Sequence, residues 1–268
     1  MQFPSKKGFW GPPLILAVML LTGFLIKAAQ LYKTEIEVSI WLTENQSSVP
    51  SALSWLVAYG FAPGPAVLIT LLIAFGIWLI RRDLEWLHFI LITLFGWLAA
   101  ALIKPLVDRA RPDASLLTTP IHPQDNFLSF PSGHTAFSAG LFGAIVLVLV
   151  ARENRKLGFA LAALGVILVG FARVYAGAHY PSDTMAGAIS GAAGVWFGET
   201  LWQYWRAKHA LEVKRTTDGT NTASAEPNPM EARNARDYST GHALADGSNN
   251  EQTGRGGPKT GTLSADEK

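Results

Sequence analysis

The chain has 268 residues, of which 49% are hydrophobic and only 16% are charged, and its formal net charge is +2. This composition is typical of an integral membrane protein, and the small net charge gives no electrostatic argument for binding nucleic acid. Cysteine is absent, which excludes disulfide bonds and thiolate metal sites.

Six apolar runs follow one another along the chain, each close to the ~20 residues that a helix needs to cross a bilayer. They cover residues 12–31, 63–80, 86–106, 133–151, 157–174 and 184–205. Short polar links separate the second run from the third and the fourth run from the fifth, so these pairs should be antiparallel neighbours. The pattern predicts an all-α fold, a polytopic membrane bundle of six transmembrane helices.

The same pattern divides the chain into three parts. Residues 1–62 hold the first span and an extracytoplasmic segment with apolar residues on one helical face, which is typical of an interfacial amphipathic helix. The residues of that face are Val49, Ala52, Leu53, Leu56 and Val57. Residues 63–215 form a core of five spans. Residues 216–268 are rich in small polar residues and predict a disordered cytoplasmic tail.

Lysine and arginine in the short loops predict the orientation of the spans. The basic residues on one side of the six-span arrangement are Lys6, Lys7, Arg81, Arg82, Arg152, Arg155, Lys156, Arg206, Lys208, Lys214 and Arg215. We therefore expect a multi-pass protein of the inner, or cytoplasmic, membrane with both termini in the cytoplasm. A cleaved signal peptide is the alternative for the first run, but its end lacks the small residue that cleavage requires.

The opposite side has few basic residues, namely Lys33, Lys104, Arg109, Arg111 and Arg173. A charge at the bilayer centre costs about 2.5–3.5 kcal/mol, so such residues persist mainly where they pair, reach the interface or serve a site. Snorkelling at a helix end explains any one of them taken alone. Their collection at one end of the spans indicates a site on the extracytoplasmic side.

The residue types at this end suit a phosphate group. Lys104 supplies an ammonium, and Arg111 and Arg173 supply two guanidinium forks that bind phosphate oxygens in pairs. Ser132 and Gly133 begin the fourth span, and the N-terminus of a helix binds anions. The sequence therefore predicts a phosphate site made of cations and backbone amides.

Two histidines at the same end suit covalent phosphoryl transfer. A neutral imidazole is a competent nucleophile when a carboxylate holds its other nitrogen. His179 and Asp183 are four residues apart, so they fit one face of a helix. His134 is then available to protonate the leaving group and afterwards to activate water.

These residues lie in three stretches: K-P-L-V-D-R-A-R-P at 104–112, P-S-G-H at 131–134 and R-V-Y-A-G-A-H-Y-P-S-D at 173–183. In order and spacing the stretches resemble the three-part signature of the type 2 phosphatidic acid phosphatase and vanadium haloperoxidase superfamily, in its membrane lipid phosphatase branch. The resemblance covers roughly residues 60–205. The family often has a serine where this chain has Ala172.

The resemblance implies a metal-independent lipid phosphate phosphatase without a cofactor, with a membrane lipid phosphate and the bilayer as its partners. It implies that His179 is the nucleophile of a phosphohistidine intermediate, with Asp183 as its orienting partner and His134 as the acid. The implied phosphate ligands are Lys104, Arg111, Ser132, Gly133 and Arg173. Undecaprenyl diphosphate is the first substrate that we expect, and phosphatidylglycerol phosphate or phosphatidic acid is the alternative.

Other interpretations remain open at this stage. An anion transporter or channel would need charges at several depths, whereas the mid-span positions are apolar. The haloperoxidase branch is soluble, so six spans argue against it. His122 and Asp125 lie in a polar loop beside the site, where they contact a head group or are solvated, and His88 and His209 fit solvated or interfacial positions.

Overall fold

The computed structural model describes residues 6–121, 128–223 and 230, and the side chains within these ranges except at 6, 7 and 213–223. His122 and Asp125 lie outside the described residues. The helices, in chain order, are α1 (Lys6–Ala28), α2 (Tyr32–Glu44), α3 (Ser48–Gly60), α4 (Pro63–Arg81), α5 (Glu85–Val107), α6 (Gly133–Leu149), α7 (Arg155–Tyr175) and α8 (Pro181–Ala223).

The helices include the expected membrane spans, and the all-α membrane bundle is confirmed. Four stretches are long and apolar enough to cross a membrane, with mean hydropathies of 2.0 to 2.2: Gly8–Ala28, Pro63–Arg81, Glu85–Val107 and Arg152–Tyr175. The fourth predicted span, α6, is also apolar but has only 17 residues. Most of its side chains are buried, so α6 is the central helix. The apolar first part of α8 corresponds to the sixth predicted span.

The chain divides into two compact units, Met1–Leu211 and Glu212–Lys268. The core and the site described below lie in the first unit. In the second unit the described residues are the last turns of α8, which ends at Ala223, and Met230. The helix therefore continues eight residues into the predicted tail, and the rest of that tail lies outside the described residues.

Glycine brings the central helices into close contact. A Cβ atom on Gly96 of α5 would lie 2.4 Å from the Cα of Gly140 on α6, so both positions need a residue without a side chain. Phe89 and Ile92 of α5 and Phe137 of α6 belong to one buried apolar cluster. Small residues at helix contacts are the usual means of packing within a membrane.

The segment between α1 and α4 is helical where the amphipathic helix is predicted, and its interfacial position stays a prediction. It forms two helices, α2 and α3, and the residues of α3 that pack on the protein are Ser54, Val57 and Ala58. Val49 and Leu56, from the predicted apolar face, are 80% and 70% exposed. Ser54 Oγ donates a hydrogen bond to the carbonyl of Ala172 on α7 over 3.0 Å. This segment is therefore joined to the end of α7 through specific contacts.

His88 corrects the expectation that this histidine is solvated or interfacial. The side chain is buried at the end of the bundle opposite the three motifs. Its Nδ1 lies 2.9 Å from the carboxylate of Glu85, and its Nε2 lies 2.7 Å from that of Glu199 on α8. The ring stacks on Trp202 at 4.6 Å. The sequence does not reveal this role because Glu199 is 111 residues away.

Candidate active site

The three motifs converge at one end of the bundle. Each predicted residue occupies the end of a helix or an adjacent loop. Lys104 lies in the last turn of α5 and Arg111 in the loop after it, while Ser132 is the N-cap of α6 and Gly133 and His134 lie in its first turn. Arg173 lies in the last turn of α7, His179 in the loop before α8, and Asp183 in the first turn of α8. Antiparallel helices bring these ends together, so distant stretches of the sequence form one cluster of side chains around His179, called the pocket below.

His179 is the buried centre of this pocket, with 1% of its surface exposed. Its Nε2 lies 3.1 Å from a guanidinium nitrogen of Arg111. Its Nδ1 lies 3.4 Å from Ser129 Oγ and 3.5 Å from the carboxylate of Asp183. The two ring nitrogens thus have opposite surroundings, because Nε2 faces a cation and Nδ1 faces acceptors.

Burial, together with the positive charges of Arg111, Lys104 and Arg173, holds the pKa of His179 well below its usual range. His134 also acts on His179 electrostatically. The imidazole is therefore neutral at physiological pH, which is the form that can attack a phosphorus atom.

Asp183 is completely buried and fully engaged. Its carboxylate accepts hydrogen bonds from Ser129 Oγ and from the backbone N–H of Tyr180 at 2.9 Å. It also pairs with Arg109 at 2.6 Å. The bond to Tyr180 caps the start of α8, as a carboxylate at the third helical position commonly does.

The predicted geometry of the His179–Asp183 pair needs one correction. The four-residue spacing suggests two positions on one helical face, but α8 begins at Pro181, so His179 lies in the preceding loop. The two side chains approach each other because Asp183 folds back over the helix start, and Ser129 bonds to the same carboxylate. The contact is therefore made by the helix cap.

Arg173 carries the strongest sign that the pocket takes a ligand. The side chain is 0% exposed, and within the described part of the chain none of its three guanidinium nitrogens has a hydrogen-bond partner. Buried polar groups are nearly always hydrogen-bonded, and a buried charge without a partner is costly. A phosphate oxygen would supply the missing acceptors.

The other two cations border the same space. Lys104 Nζ donates to the carbonyl of Leu128 over 2.7 Å. Arg111 donates to the carbonyl of Ala178 over 2.8 Å, and burial lowers the pKa of its guanidinium to about 10. Arg111 therefore remains charged at neutral pH. Lys104, Arg111 and Arg173 also all act on the charge of His179.

The N-terminus of α6 lies beside these cations. The backbone N–H of Ser132 donates to the carbonyl of Asp183 over 2.8 Å, so this amide is engaged and the amides that face an anion begin at Gly133. Ser132 Oγ accepts from Thr135 Oγ1 over 3.1 Å and keeps its own proton to donate. A Cβ at Gly133 would lie 3.4 Å from Cε of Lys104. Glycine therefore leaves the space between the start of α6 and Lys104 open.

His134 occupies the first turn of α6, half-buried between the pocket and α3. Its Nε2 lies 3.4 Å from the carbonyl of Ala58 on α3. The helix α3 therefore limits the positions that this imidazole adopts, and the charges of Arg173, Arg111 and Lys104 act on it.

Sequence reasoning missed three residues of the site. Ser129 bonds to Asp183, and Arg109 links Asp183 to Glu35 on α2. Arg109 stands out in the sequence only as a cation on the side with few basic residues. Glu35 and Ser129 carry no recognisable signal, because their contacts span 147 and 54 residues of the chain.

Together, fold and site define a class: a helical membrane protein with a buried cluster of cations and a His–Asp pair at one end. Residues 85–208, which carry all three motifs, match the PAP2 superfamily. The resemblance that the motifs indicate is therefore confirmed for residues 85–208, the part of the chain that matches the family.

Several curated proteins are similar to this chain. A lipid A 1-phosphatase of Rhizobium etli is 38% identical over 38% of this chain and 43% of its own length. The phosphatidylglycerophosphatase B of Bacillus subtilis is 27% identical over 63% of this chain and 86% of its own length. The undecaprenyl-diphosphatase BcrC of Bacillus subtilis is 28% identical over 55% and 72%. The chain thus spans less than half the length of the lipid A phosphatase.

One solved structure has the same fold. It is the crystal structure of a transmembrane PAP2-type phosphatidylglycerolphosphate phosphatase from Bacillus subtilis, with a TM-score of 0.54 and 20% sequence identity. The match covers 75% of this chain and 96% of that protein. This likeness supports the membrane bundle.

Proposed function

We propose that this protein is a membrane lipid phosphatase that hydrolyses a phosphate monoester or diphosphate through a phosphohistidine. The observation that carries the proposal is the buried guanidinium of Arg173, which has no hydrogen-bond partner among the described residues, close to a neutral His179. An oxyanion with several acceptor oxygens would pair with the guanidinium of Arg173. An electrophilic phosphorus atom would be attacked by the imidazole of His179.

The geometry supports a two-step reaction. In the first step Nε2 of His179 forms a bond to phosphorus, the bond between phosphorus and the leaving oxygen breaks, and His134 gives its proton to that oxygen. In the second step His134 takes a proton from water, the water oxygen attacks phosphorus, and the N–P bond breaks to release phosphate. Asp183 and Ser129 hold the Nδ1 side of His179 throughout, as a buried carboxylate does for a catalytic histidine.

Chelation tests the metal-independence of this reaction. Within the described residues no group of three or more His, Asp or Glu side chains is arranged to hold a metal ion, and the proposed phosphate ligands are cations. We expect phosphate release to continue unchanged in EDTA and to be inhibited by orthovanadate, which mimics the phosphoryl transition state. Loss of turnover in EDTA that added Mg²⁺ restores would contradict the mechanism.

The location of the site at one end of a membrane bundle and the activities for which the relatives are named support a lipid phosphate as the substrate class. A lipid A phosphatase, a phosphatidylglycerophosphatase and an undecaprenyl-diphosphatase share one kind of ligand, a phosphorylated group on a membrane-anchored chain. Undecaprenyl diphosphate is the first substrate that we propose. Phosphatidylglycerol phosphate is the second, favoured by the length of the match to phosphatidylglycerophosphatase B.

A phosphate-release assay decides between these lipids. Purified full-length protein would be given undecaprenyl diphosphate, phosphatidylglycerol phosphate, phosphatidic acid and a lipid A phosphate in mixed micelles at equal mole fraction. We expect one lipid to have the highest kcat/KM and His179→Ala to abolish its hydrolysis. Failure to release phosphate from all four lipids would refute the proposed function.

The described core argues against an anion path as the function. Charged side chains lie at the two ends of the helices, and the layer between them is filled by apolar residues such as Phe89, Phe137 and Leu141. An ion crossing this layer would lose its hydration without a replacement ligand.

We also propose that the pocket faces away from the cytoplasm, because the basic loops favour the opposite end as cytoplasmic. Ser115 tests this orientation, since it is exposed in the loop that follows Arg111, in a chain without other thiols. We expect a cysteine in Ser115→Cys to react with a membrane-impermeant maleimide on intact spheroplasts. Labelling only in inverted vesicles would mean that the pocket faces the cytoplasm.

A further inference from the structure

We infer that Glu35 and Arg109 are positioning residues of this site: Arg109 fixes the carboxylate of Asp183, and Glu35 on α2 fixes both Arg109 and the start of α8. The inference rests on the proposed function. Glu35 precedes residues 85–208, the part that matches the family. Part of the site therefore comes from the N-terminal part of the chain.

Arg109 is a bridge between two carboxylates. One nitrogen of its buried guanidinium lies 2.6 Å from Oδ1 of Asp183 and 2.7 Å from Ser182 Oγ, and the other lies 2.6 Å from Oε2 of Glu35. The guanidinium also lies over the ring of Tyr180 at 4.3 Å. A planar fork with a fixed stacking partner has little freedom to rotate, so the position of Oδ1 is fixed and Oδ2 is left toward Ser129 and His179.

Glu35 completes this arrangement from α2. Its Oε1 accepts the backbone N–H of Ser182 over 2.8 Å, and its Oε2 accepts Ser182 Oγ over 2.9 Å in addition to the bond from Arg109. A carboxylate at the first turn of α8 is favoured by the exposed amides of the helix start. Glu35 therefore holds the same turn that carries Asp183.

The two residues act on the chemistry through Asp183. Without the guanidinium, the buried carboxylate of Asp183 loses its charge compensation and its fixed orientation. His179 then loses the acceptor that keeps the proton on Nδ1 and leaves Nε2 free to attack. Because Arg109 and Glu35 do not contact His179, their replacement should affect turnover without removing a phosphate ligand.

Three variants of the full-length protein test this inference in the phosphate-release assay. Glu35→Gln keeps the shape and removes the charge, and Arg109→Lys keeps the charge but cannot bridge both carboxylates. Glu37→Gln, on the exposed side of the same helix, is the matched control. We expect kcat to fall about 10–100-fold in Glu35→Gln and Arg109→Lys, which is the usual cost of losing a residue that orients a site ligand. The KM of these two variants should stay unchanged. Glu37→Gln should be as active as the wild-type protein.

A double-mutant cycle separates positioning from a merely structural role. If Glu35 and Arg109 act through Asp183, adding either replacement to Asp183→Asn should cost less than about twofold, because coupled residues are not additive. A purely structural loss would instead multiply with that of Asp183→Asn. Such multiplication, or wild-type activity of Glu35→Gln, would overturn the inference.

Orthovanadate binding gives a second readout that does not depend on the choice of lipid. We expect Glu35→Gln and Arg109→Lys to weaken vanadate binding, measured by calorimetry, about tenfold and Glu37→Gln to leave it unchanged. Equal affinity in all three variants would overturn the inference. Failure of the wild-type protein to cleave any lipid of the panel refutes the proposed function alone, since the comparison of vanadate affinities still decides the role of the pair.

Discussion

A His179→Ala variant is expected to lose phosphate release entirely and to form no phosphoenzyme with any substrate in an alkaline quench, which preserves the acid-labile N–P bond of phosphohistidine. The imidazole is the group whose Nε2 faces the cations of the pocket, and without it no covalent intermediate forms. Knocking out a nucleophile costs about 10⁴-fold or more. The measurement is quench-flow trapping with a ³²P-labelled lipid phosphate.

Two further histidine variants serve as controls for this result. His134→Ala keeps the nucleophile and loses the acid, so we expect a loss of about 10²–10⁴-fold on an alkyl phosphate. That loss should shrink with p-nitrophenyl phosphate, whose leaving group needs no proton. His209→Ala, exposed near the opposite end of the bundle, should be as active as wild type. A phosphohistidine that persists in His179→Ala would reverse the assignment of the two roles.

An Arg173→Met variant is expected to be inactive and yet more stable than the wild-type protein. The guanidinium is 0% exposed and unpartnered among the described residues. Without a ligand, the folded protein therefore carries the free-energy cost of removing this charge from water. Replacing buried charged groups with apolar ones of similar size commonly stabilises a protein by about 1–4 kcal/mol. An arginine that stabilises a transferring phosphoryl group is worth about 10³–10⁵ in kcat.

Thermal unfolding in detergent, with and without orthovanadate, measures this trade between stability and function. We expect Arg173→Met to raise the melting temperature and to remove the further rise that vanadate gives the wild-type protein by binding its folded state. Arg155→Met is the control, because Arg155 binds the carbonyl of Leu147 at the opposite end over 2.6 Å. It should lower the melting temperature and keep activity. A less stable Arg173→Met would mean that this guanidinium has a structural role.

The sequence predicts the parts of this molecule that depend on local pattern. Hydropathy is sufficient to predict the membrane bundle, because a span must be apolar along its whole length. The eight predicted site residues converge because the three motifs fall at helix ends that antiparallel packing brings together. The position of His179 in a loop and the bonding of Ser132 N–H were missed, since both depend on how α8 begins at Pro181.

The remaining features depend on contacts that no local pattern records. Glu35 and Glu37 have the same chemistry in the same short helix, and Glu35 differs because Arg109 and the start of α8 lie against it. His88 is buried because Glu199, from the far part of the chain, lies across from it. Such pairings follow from tertiary packing, which is why polar residues of this kind resist assignment from a single sequence.

Burial determines how strongly the site attracts a ligand. The short central helix α6 begins where its longer neighbours α5 and α7 end, and the side chains of Arg173 and His179 are buried at this end of the bundle. The attraction between two charges grows as the local dielectric constant falls. A phosphate held there would therefore be attracted more strongly by each cation than on an exposed surface, without an additional charge.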